Sequence, residues 1–496
     1  MDILTGMMTG FSAILSLKVL FFIFIGILLG YFVGALPGLT SSMGMALLIP
    51  FTFAMDAVPA MIMLVLIYSA ADYAAGIPAI LVNAPGQPAA AVTAFDGYPM
   101  RRQGETGKAL TLSITSSGIG SLIAVIFLIA TAEVMADFAL AFGPAEYFSL
   151  AVLGLSLISA LSMGFVLRSI IGMLFGLLIL TIGIDPASGA ERFVFHIELL
   201  EGIPFLPALI GLFALSEVFY MLEEVFDPPK PVEDIPKITG SFSYLRPYPK
   251  TVLRGSVIGY FIGVIPGAGS SIASLVSYGM AKRASKKGDT FGTGNPEGVV
   301  ASETANNASV CGALAPLLAL GIPGSASTAI LIGGLTIQGL QPGPLLFQNN
   351  PEIPYSIFTS LVLGIPIMMI LGLFGVRMWI KVTSIPKGIV ASVVGGISIL
   401  GAYASTNSEF TIGITVFFGI VGYLFRKMDI NPAPIVLALV LGVMMETNFR
   451  RAMLMSGDDL MIFVIKPISL VLLVISVIVL FLPFLQKLIR WKKVKQ

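Results

Sequence analysis

The chain has 496 residues, 56% of them hydrophobic and only 11% charged, with a mean hydropathy of +0.96; soluble domains carry about 25% charged residues, so an ordinary soluble globular protein is excluded. Basic and acidic residues number 28 and 27, a net charge of +1, which leaves no overall field to attract nucleic acid. A single cysteine, Cys311, rules out an intramolecular disulfide or a cysteine metal cluster, and a single histidine, His196, leaves Ser-His-Asp and multi-histidine chemistry short of parts.

The chain opens with MDILTGMMTGFSAILSLKVLFFIF, which has no basic leading region and no small-residue cleavage pattern, and it is expected to stay as a first helix. Charge-free runs follow at 19–55, 109–132 and 147–167, with shorter ones at 169–184 and 202–216. Residues 227–250, DPPKPVEDIPKITGSFSYLRPYPK, are polar and proline-rich and read as a linker between a first membrane half, 1–226, and a second, 251–496. The second half continues with charge-free runs at 255–281, 304–351, 353–376, 388–408 and 467–486, and shorter ones at 410–425 and 430–445. About 20 apolar residues cross a bilayer, so the fold class is an all-α integral membrane protein of about 11 or 12 transmembrane helices.

The halves echo one another. GYFVGALPGLTSS at 30–42 matches GYFIGVIPGAGSS at 259–271 at eight of thirteen positions, and VNAPGQPAAAVT is followed at the corresponding place in the second half by LGIPGSASTAI. Each half therefore carries two Pro-Gly pairs in apolar sequence: Pro37-Gly38 and Pro85-Gly86, then Pro266-Gly267 and Pro323-Gly324. Proline removes a backbone donor and glycine relaxes the chain after it, so these pairs are expected to break helices at membrane depth, as Pro-Gly-broken helices or re-entrant hairpins. Paired interruptions in corresponding segments mark the binding site of a transporter, whereas a single pair would be an ordinary kink.

The polar residues at the breaks are Thr40, Ser41, Ser42, Asn83, Gln87, Ser270, Ser271, Asn306, Asn307, Ser325, Ser327 and Thr328, and they form the candidate substrate site. A helix that restarts after Pro-Gly offers unpaired N–H groups and the positive end of its dipole, which hydroxyls extend; opposed starts suit a carboxylate. Each Ser or Thr alone is as well explained by close helix packing. Residues 19–100 and 288–376 contain no Lys or Arg, so these stretches supply no buried cation. Asp56 and Asp96 border expected turns and read as solvated, whereas Asp72 and Glu303 sit near the breaks and are candidates for a coupling ion, Na⁺ or H⁺. RRQGETGKAL at 101–110 lacks the first glycine and the Ser/Thr of a phosphate loop, so no ATP site is expected.

The motifs GALPGLTSSMGMALLIPFTF, ILVNAPGQPAAAVTAFDGYPMRRQG, GVIPGAGSSIASLVSYGMAKRAS and NPEGVVASETANNASVCGALAPLLALGIPGSAST, in this order, resemble the large membrane subunit of the tripartite tricarboxylate transporters (TctA-type). The resemblance implies a secondary active permease, not an enzyme, of the bacterial inner membrane. It would import a di- or tricarboxylate, without a cofactor, on an ion gradient by alternating access. Its partners would be a small four-helix membrane subunit and a periplasmic solute-binding protein, with a homodimer as a candidate assembly. Two departures stand out: Tyr73-Ala74-Ala75-Gly76 where the family usually has Tyr-Gly-Gly-Ser, and Gln87 where threonine is usual. An anion channel and an intramembrane enzyme are the alternative readings.

Basic residues predict the orientation. The turn around Asp56 has no cation, whereas AKRASKKG at 281–288 is basic; DGYPMRRQGETGK at 96–108 is basic, whereas QGLQPGPLLFQNNPEIPYS at 338–356 has none. By the positive-inside rule the halves are inverted repeats, with the basic tail (Lys487, Arg490, Lys492, Lys493, Lys495) cytoplasmic.

Overall fold

A computed structural model describes residues 3–160, 166–185, 188–223 and 242–494, except the side chains of 159, 160 and 482–494. The linker expected at 227–250 lies outside the described residues as far as 241; beyond it Phe242–Tyr244 forms a 3₁₀ turn. The basic tail from Lys487 likewise falls outside the described side chains.

In the first half, α1 (Ile3–Ile14) precedes α2 (Leu17–Ala35), α3 (Ser41–Leu48), α4 (Ala57–Val82), α5 (Ala90–Arg102) and α6 (Thr106–Ala139). Then come α7 (Pro144–Ala160), α8 (Val166–Leu180) and α9 (Phe205–Glu223), with a two-residue β-ladder, Gly183–Ile184 against Glu191–Arg192, before α9. The second half repeats the pattern with α10 (Pro249–Val264), α11 (Gly269–Ala284), α12 (Pro296–Leu320), α13 (Ala326–Ile337), the short α14 (Pro344–Asn349) and α15 (Glu352–Thr383). It closes with α16 (Lys387–Thr406), α17 (Glu409–Lys427), α18 (Ala433–Ser456) and α19 (Pro467–Val494).

The all-α membrane class is as expected. Among the described residues, eight helices are long and apolar enough to cross a bilayer: α2, α4, α6, α9, α15, α16, α17 and α18. The remaining expected crossings fall on shorter apolar helices and on segments that the Pro-Gly breaks divide.

Glycines spaced four apart set the packing in both halves. Gly26, Gly30 and Gly34 of α2 lie in turn against Met63, Ile67 and Ala71 of α4, and Gly255, Gly259 and Gly263 of α10 lie against Thr304, Ala305 and Ser309 of α12. Each pair of helices therefore runs parallel, with backbones closer than any side chain would permit. A β-carbon on Gly34 would stand 2.1 Å from the Ala71 carbonyl oxygen, and one on Gly263 2.3 Å from that of Ser309.

The long broken helices of the two halves run in opposite directions. Asn306 on α12 donates to the Asp72 carbonyl on α4 at 3.4 Å, while Gly76, one turn further along α4, faces Glu303, one turn earlier on α12. Helices α4 and α12 are thus antiparallel at the centre, an arrangement consistent with inverted repeats.

The first break in each half forms a hairpin that leaves on the side it came from. Lys18 at the start of α2 pairs with Asp56 just beyond α3 at 2.5 Å. In the second half, Thr251 near the start of α10 and Ser285 at the end of α11 both donate to Glu297, at 2.7 and 2.6 Å. The second breaks separate α4 from α5 and α12 from α13, and each short helix packs on the long broken helix of the other half, α5 on α12 and α13 on α4.

Candidate functional site

The four breaks converge. Helix α2 ends at Ala35, the chain turns through Gly38 with φ +90°, and Thr40 caps α3 by accepting the Met43 N–H at 3.3 Å. Ser42 shares a hydrogen bond with Thr40 at 2.9 Å. In the other half α12 stops at Gly321 (φ +71°) and Ser325 caps α13 reciprocally: its hydroxyl accepts the Thr328 N–H at 3.2 Å, while Thr328 Oγ1 accepts the Ser325 N–H at 2.8 Å. The two helix starts meet at Ser41 and Ser327, whose hydroxyls are 2.9 Å apart. Tyr68 of α4, one turn before Asp72, shares a hydrogen bond with Ser325 at 3.2 Å.

The second break of the first half folds back against the first. Asn83 terminates α4 in the left-handed conformation and is exposed, so it turns the chain at the rim of the site. Gly86 nestles among the carbonyl oxygens of Gly34, Leu36 and Leu39, each 3.2 Å from where its β-carbon would be. Gln87 then turns inward, 6% exposed, and donates to Asp72 Oδ1 at 2.5 Å.

The breaks of the second half are tied in the same way, Gly267 donating its N–H to the Gly324 carbonyl at 3.1 Å. Ser270 and Ser271 lie in the first turn of α11, which has no side-chain cap, and they are only partly buried. No hydrogen bond among the described residues joins them to Ser41 or Ser42; their link to that pair runs through Gly267, Gly324 and the α13 start.

Two carboxylates lie in this centre. Asp72 is 2% exposed and receives Gln87 on one oxygen, with Ser41 nearby. Glu303 is fully buried and sits in its own cage: Thr93 donates to Oε1 at 2.7 Å, Ser117 to Oε2 at 2.9 Å, and Asn307 Nδ2 approaches Oε2 at 3.4 Å. The cage explains Gly76 in the departing Tyr73-Ala74-Ala75-Gly76 stretch, because a β-carbon there would be 2.6 Å from both Glu303 Oε1 and Ser113 Oγ. The side-chain oxygens of Asn306 and Asn307 are buried and accept no hydrogen bond among the described residues. Such acceptors in a dry interior suit a donor or a cation brought by a ligand.

Asp96 is not solvated as its place in the sequence suggested. It is fully buried: Oδ1 accepts the N–H groups of Gly292, Gly294 and Asn295 at 2.8, 2.9 and 2.7 Å, and Oδ2 accepts the Tyr278 hydroxyl at 2.8 Å. The expected turn falls later, at Gln103–Gly104, so Asp96 clasps the other half near the start of α12. Asp56 is exposed in its pair with Lys18. His196 is remote from the centre, stacked on Phe410 at 4.6 Å, and Cys311 is buried.

Sequence reasoning also missed Tyr68, Thr93 and Ser117. Tyr68 could have been found from its one-turn spacing to Asp72; Thr93 and Ser117 reach Glu303 only through tertiary contact. Beside the α12–α13 break a cavity of about 1330 Å³ extends outward from Leu320 and Gly321 past Thr336 of α13. Arg192, Glu446 and Arg451 stand in its wall, Arg192 paired with Glu446 at 2.8 Å.

Residues 20–437 match the model of the tripartite tricarboxylate transporter TctA family. The chain is 37% identical over 477 residues to a protein of Agrobacterium vitis described as the uncharacterized 52.8 kDa protein in the TAR-I ttuC' 3' region, covering 96% of this chain and 95% of that one. It is 35% identical over 227 residues to a second A. vitis protein, described as the uncharacterized protein in the TAR-II ttuC' 3' region, covering 46% of this chain and 94% of that one. No solved structure matches.

Proposed function

The chain belongs to the tripartite tricarboxylate transporter TctA family, and on that premise we propose that it is a permease importing a small di- or tricarboxylate by ion-coupled alternating access. It resides in the bacterial inner membrane and works with a small four-helix membrane subunit and a periplasmic solute-binding protein. The observation that carries the reading is the meeting of two helix starts, α3 of the first half and α13 of the second, through Ser41 and Ser327 at a buried centre. Helix starts with hydroxyls attract a carboxylate without a cationic side chain.

The cavity beside the α12–α13 break supports an outer approach to that centre. The antiparallel run of α4 and α12 supports exposure of one site to each side in turn. Asp72 and Glu303, the buried carboxylates there, supply the negative charge that would draw Na⁺ or H⁺ into the cycle.

Reconstitution with its partner subunits tests the reading. Uptake across a panel of di- and tricarboxylates is measured under a Na⁺ or an H⁺ gradient, without nucleotide. Saturable uptake and counterflow under one gradient are expected. No uptake under either gradient, with restoration by internal ATP, would overturn it.

A further inference from the structure

We infer that Asp72 is the coupling group of this chain, and that it couples by competing with the transported anion for the same donors. The inference rests on the carboxylate-transport reading above and names the device by which a cation gates anion binding.

An anion entering the centre would seek the hydroxyls at the starts of α3 and α13 and the amide of Gln87, the donors that the breaks present. The protein's own carboxylate already stands among them. Gln87 Nε2 donates to Asp72 Oδ1 at 2.5 Å, Ser41 stands nearby, and the Ser41 hydroxyl is 2.9 Å from that of Ser327. Asp72 thus connects the loop after α4 with the starts of both α3 and α13. Asn306 holds the backbone of Asp72 through its carbonyl and keeps its own Oδ1 buried and without a donor.

The titratable groups around Asp72 are Tyr68 on its own helix, which bonds Ser325, and Glu303 on α12; none brings a positive charge. With Asp72 ionised, a substrate carboxylate meets a like charge in a low-dielectric site and finds its donors engaged. A cation on Asp72, proton or Na⁺, removes the charge and frees Gln87 and Ser41 to turn to the substrate. Anion and cation then favour each other's binding, the requirement for coupled transport; by linkage each raises the affinity of the other.

Glu303 differs in kind. Its oxygens take donors from Thr93 in the first turn of α5, Ser117 within α6 and Asn307 within α12, none of them hydrogen-bonded to Ser41 or Ser327, so its hydrogen bonds do not compete with an anion at the starts of α3 and α13.

The test uses the full chain purified in detergent. Thermal stabilisation by succinate, malate and citrate is measured at constant ionic strength, with Na⁺ exchanged for choline in one arm and pH varied in the other. Failure of wild type to respond to any carboxylate, with any cation, sinks the transport reading itself. For the carboxylate that does bind, removal of the coupling cation is expected to weaken wild type by about 10- to 100-fold. The Na⁺ and pH arms identify which cation it is. Asp72→Asn should bind the anion without regard to cation, and Gln87→Met, which strips a donor from the anion and from Asp72, should weaken the anion yet tighten the cation. Phe463→Leu, which loosens the ring stack on Phe148 and Phe449 outside the site, gauges nonspecific loosening. Unchanged cation dependence in Asp72→Asn overturns the proposal, as does its loss in Glu303→Gln alone. If Asp72→Asn does not fold, an unshifted cation affinity in Gln87→Met overturns it equally.

Discussion

Gly34 and Gly263 offer the sharpest perturbation of the architecture, because they occupy matched places in the two halves and each touches backbone. Alanine at Gly34 would put a β-carbon 2.1 Å from the Ala71 carbonyl oxygen, and at Gly263 2.3 Å from the Ser309 carbonyl oxygen. Ordinary contact begins near 3.4 Å, so α2 or α10 has to move outward by about 1 Å, since a helix backbone cannot yield as a side chain does. Overpacking of this kind costs about 1–3 kcal/mol or more. The damage should also spread to the site, because the Gly34 carbonyl is one of three that surround Gly86, and the Gly263 carbonyl stands 3.0 Å from the β-carbon position of Gly324. Alanine at Gly396 or Gly413 meets nothing within 4 Å and should be neutral or stabilising by up to about 1 kcal/mol through helix propensity. Thermal unfolding of the four purified variants, together with their uptake rates, distinguishes these outcomes. Gly34→Ala and Gly263→Ala matching Gly396→Ala in both stability and uptake would refute the parallel close packing of α2 on α4 and α10 on α12.

Other expectations follow from single contacts. Asp96→Ala takes the charged acceptor from the N–H groups of Gly292, Gly294 and Asn295 and should cost about 3 kcal/mol, whereas Tyr278→Phe removes one donor to a carboxylate and should cost about 1–3 kcal/mol, both read from unfolding midpoints. A double-mutant cycle of Ser41→Ala and Ser327→Ala should show a coupling of about 1 kcal/mol in anion binding; a coupling of zero would mean that the two helix starts do not act as one site. In a Cys311→Ser background, single cysteines near Asp56 and Asn349 should react with an impermeant thiol reagent in intact cells, and those near Gln103 and Ser285 only after permeabilisation. Labelling of the Asp56 and Ser285 positions from the same side would rule out inverted insertion.

Much of the fold was legible because its causes are local. Proline and glycine act on their own neighbours, so the helix interruptions after Ala35, Val82, Val264 and Leu320 fall where the Pro-Gly pairs predict. What lies between the interruptions was less legible. Nothing local tells a hairpin from a straight crossing; that is decided by contacts such as Lys18 with Asp56 and Thr251 and Ser285 with Glu297. Asp96 was misread for the same reason. Five residues before Arg101 and a basic turn it looks solvated, yet its partners come from residues 278 and 292–295, about 200 positions away. The Ser41–Ser327 pair joins residues 286 apart that duplication alone would not match, since Ser41 has its sequence counterpart at Ser270.

That mismatch points to how a duplicated backbone acquires a direction. The Gly34–Ala71 and Gly263–Ser309 contacts align α4 with α12 residue by residue, and the second Pro-Gly pairs keep the same offset. On this alignment Asp72 stands opposite Val310, Glu303 opposite Val65, Tyr68 opposite Asn306 and Gln87 opposite Ser325. The glycine contacts and helix breaks are therefore shared by the halves, while each buried carboxylate belongs to one half alone. Two identical halves would give a centre with a twofold axis and two equivalent ways to seat an anion. Charge on one side only removes that degeneracy: the Ser41, Gln87 and Asp72 face differs from the Ser325, Ser327 and Asn306 face, so an asymmetric solute has one preferred orientation. Placing Asp72 opposite as well, by Val310→Asp in a chain that keeps Asp72, should bring a second carboxylate against the same centre. It is expected to weaken anion binding at any fixed cation concentration and to steepen its dependence on the cation; an unchanged dependence would show that the two faces do not share one site.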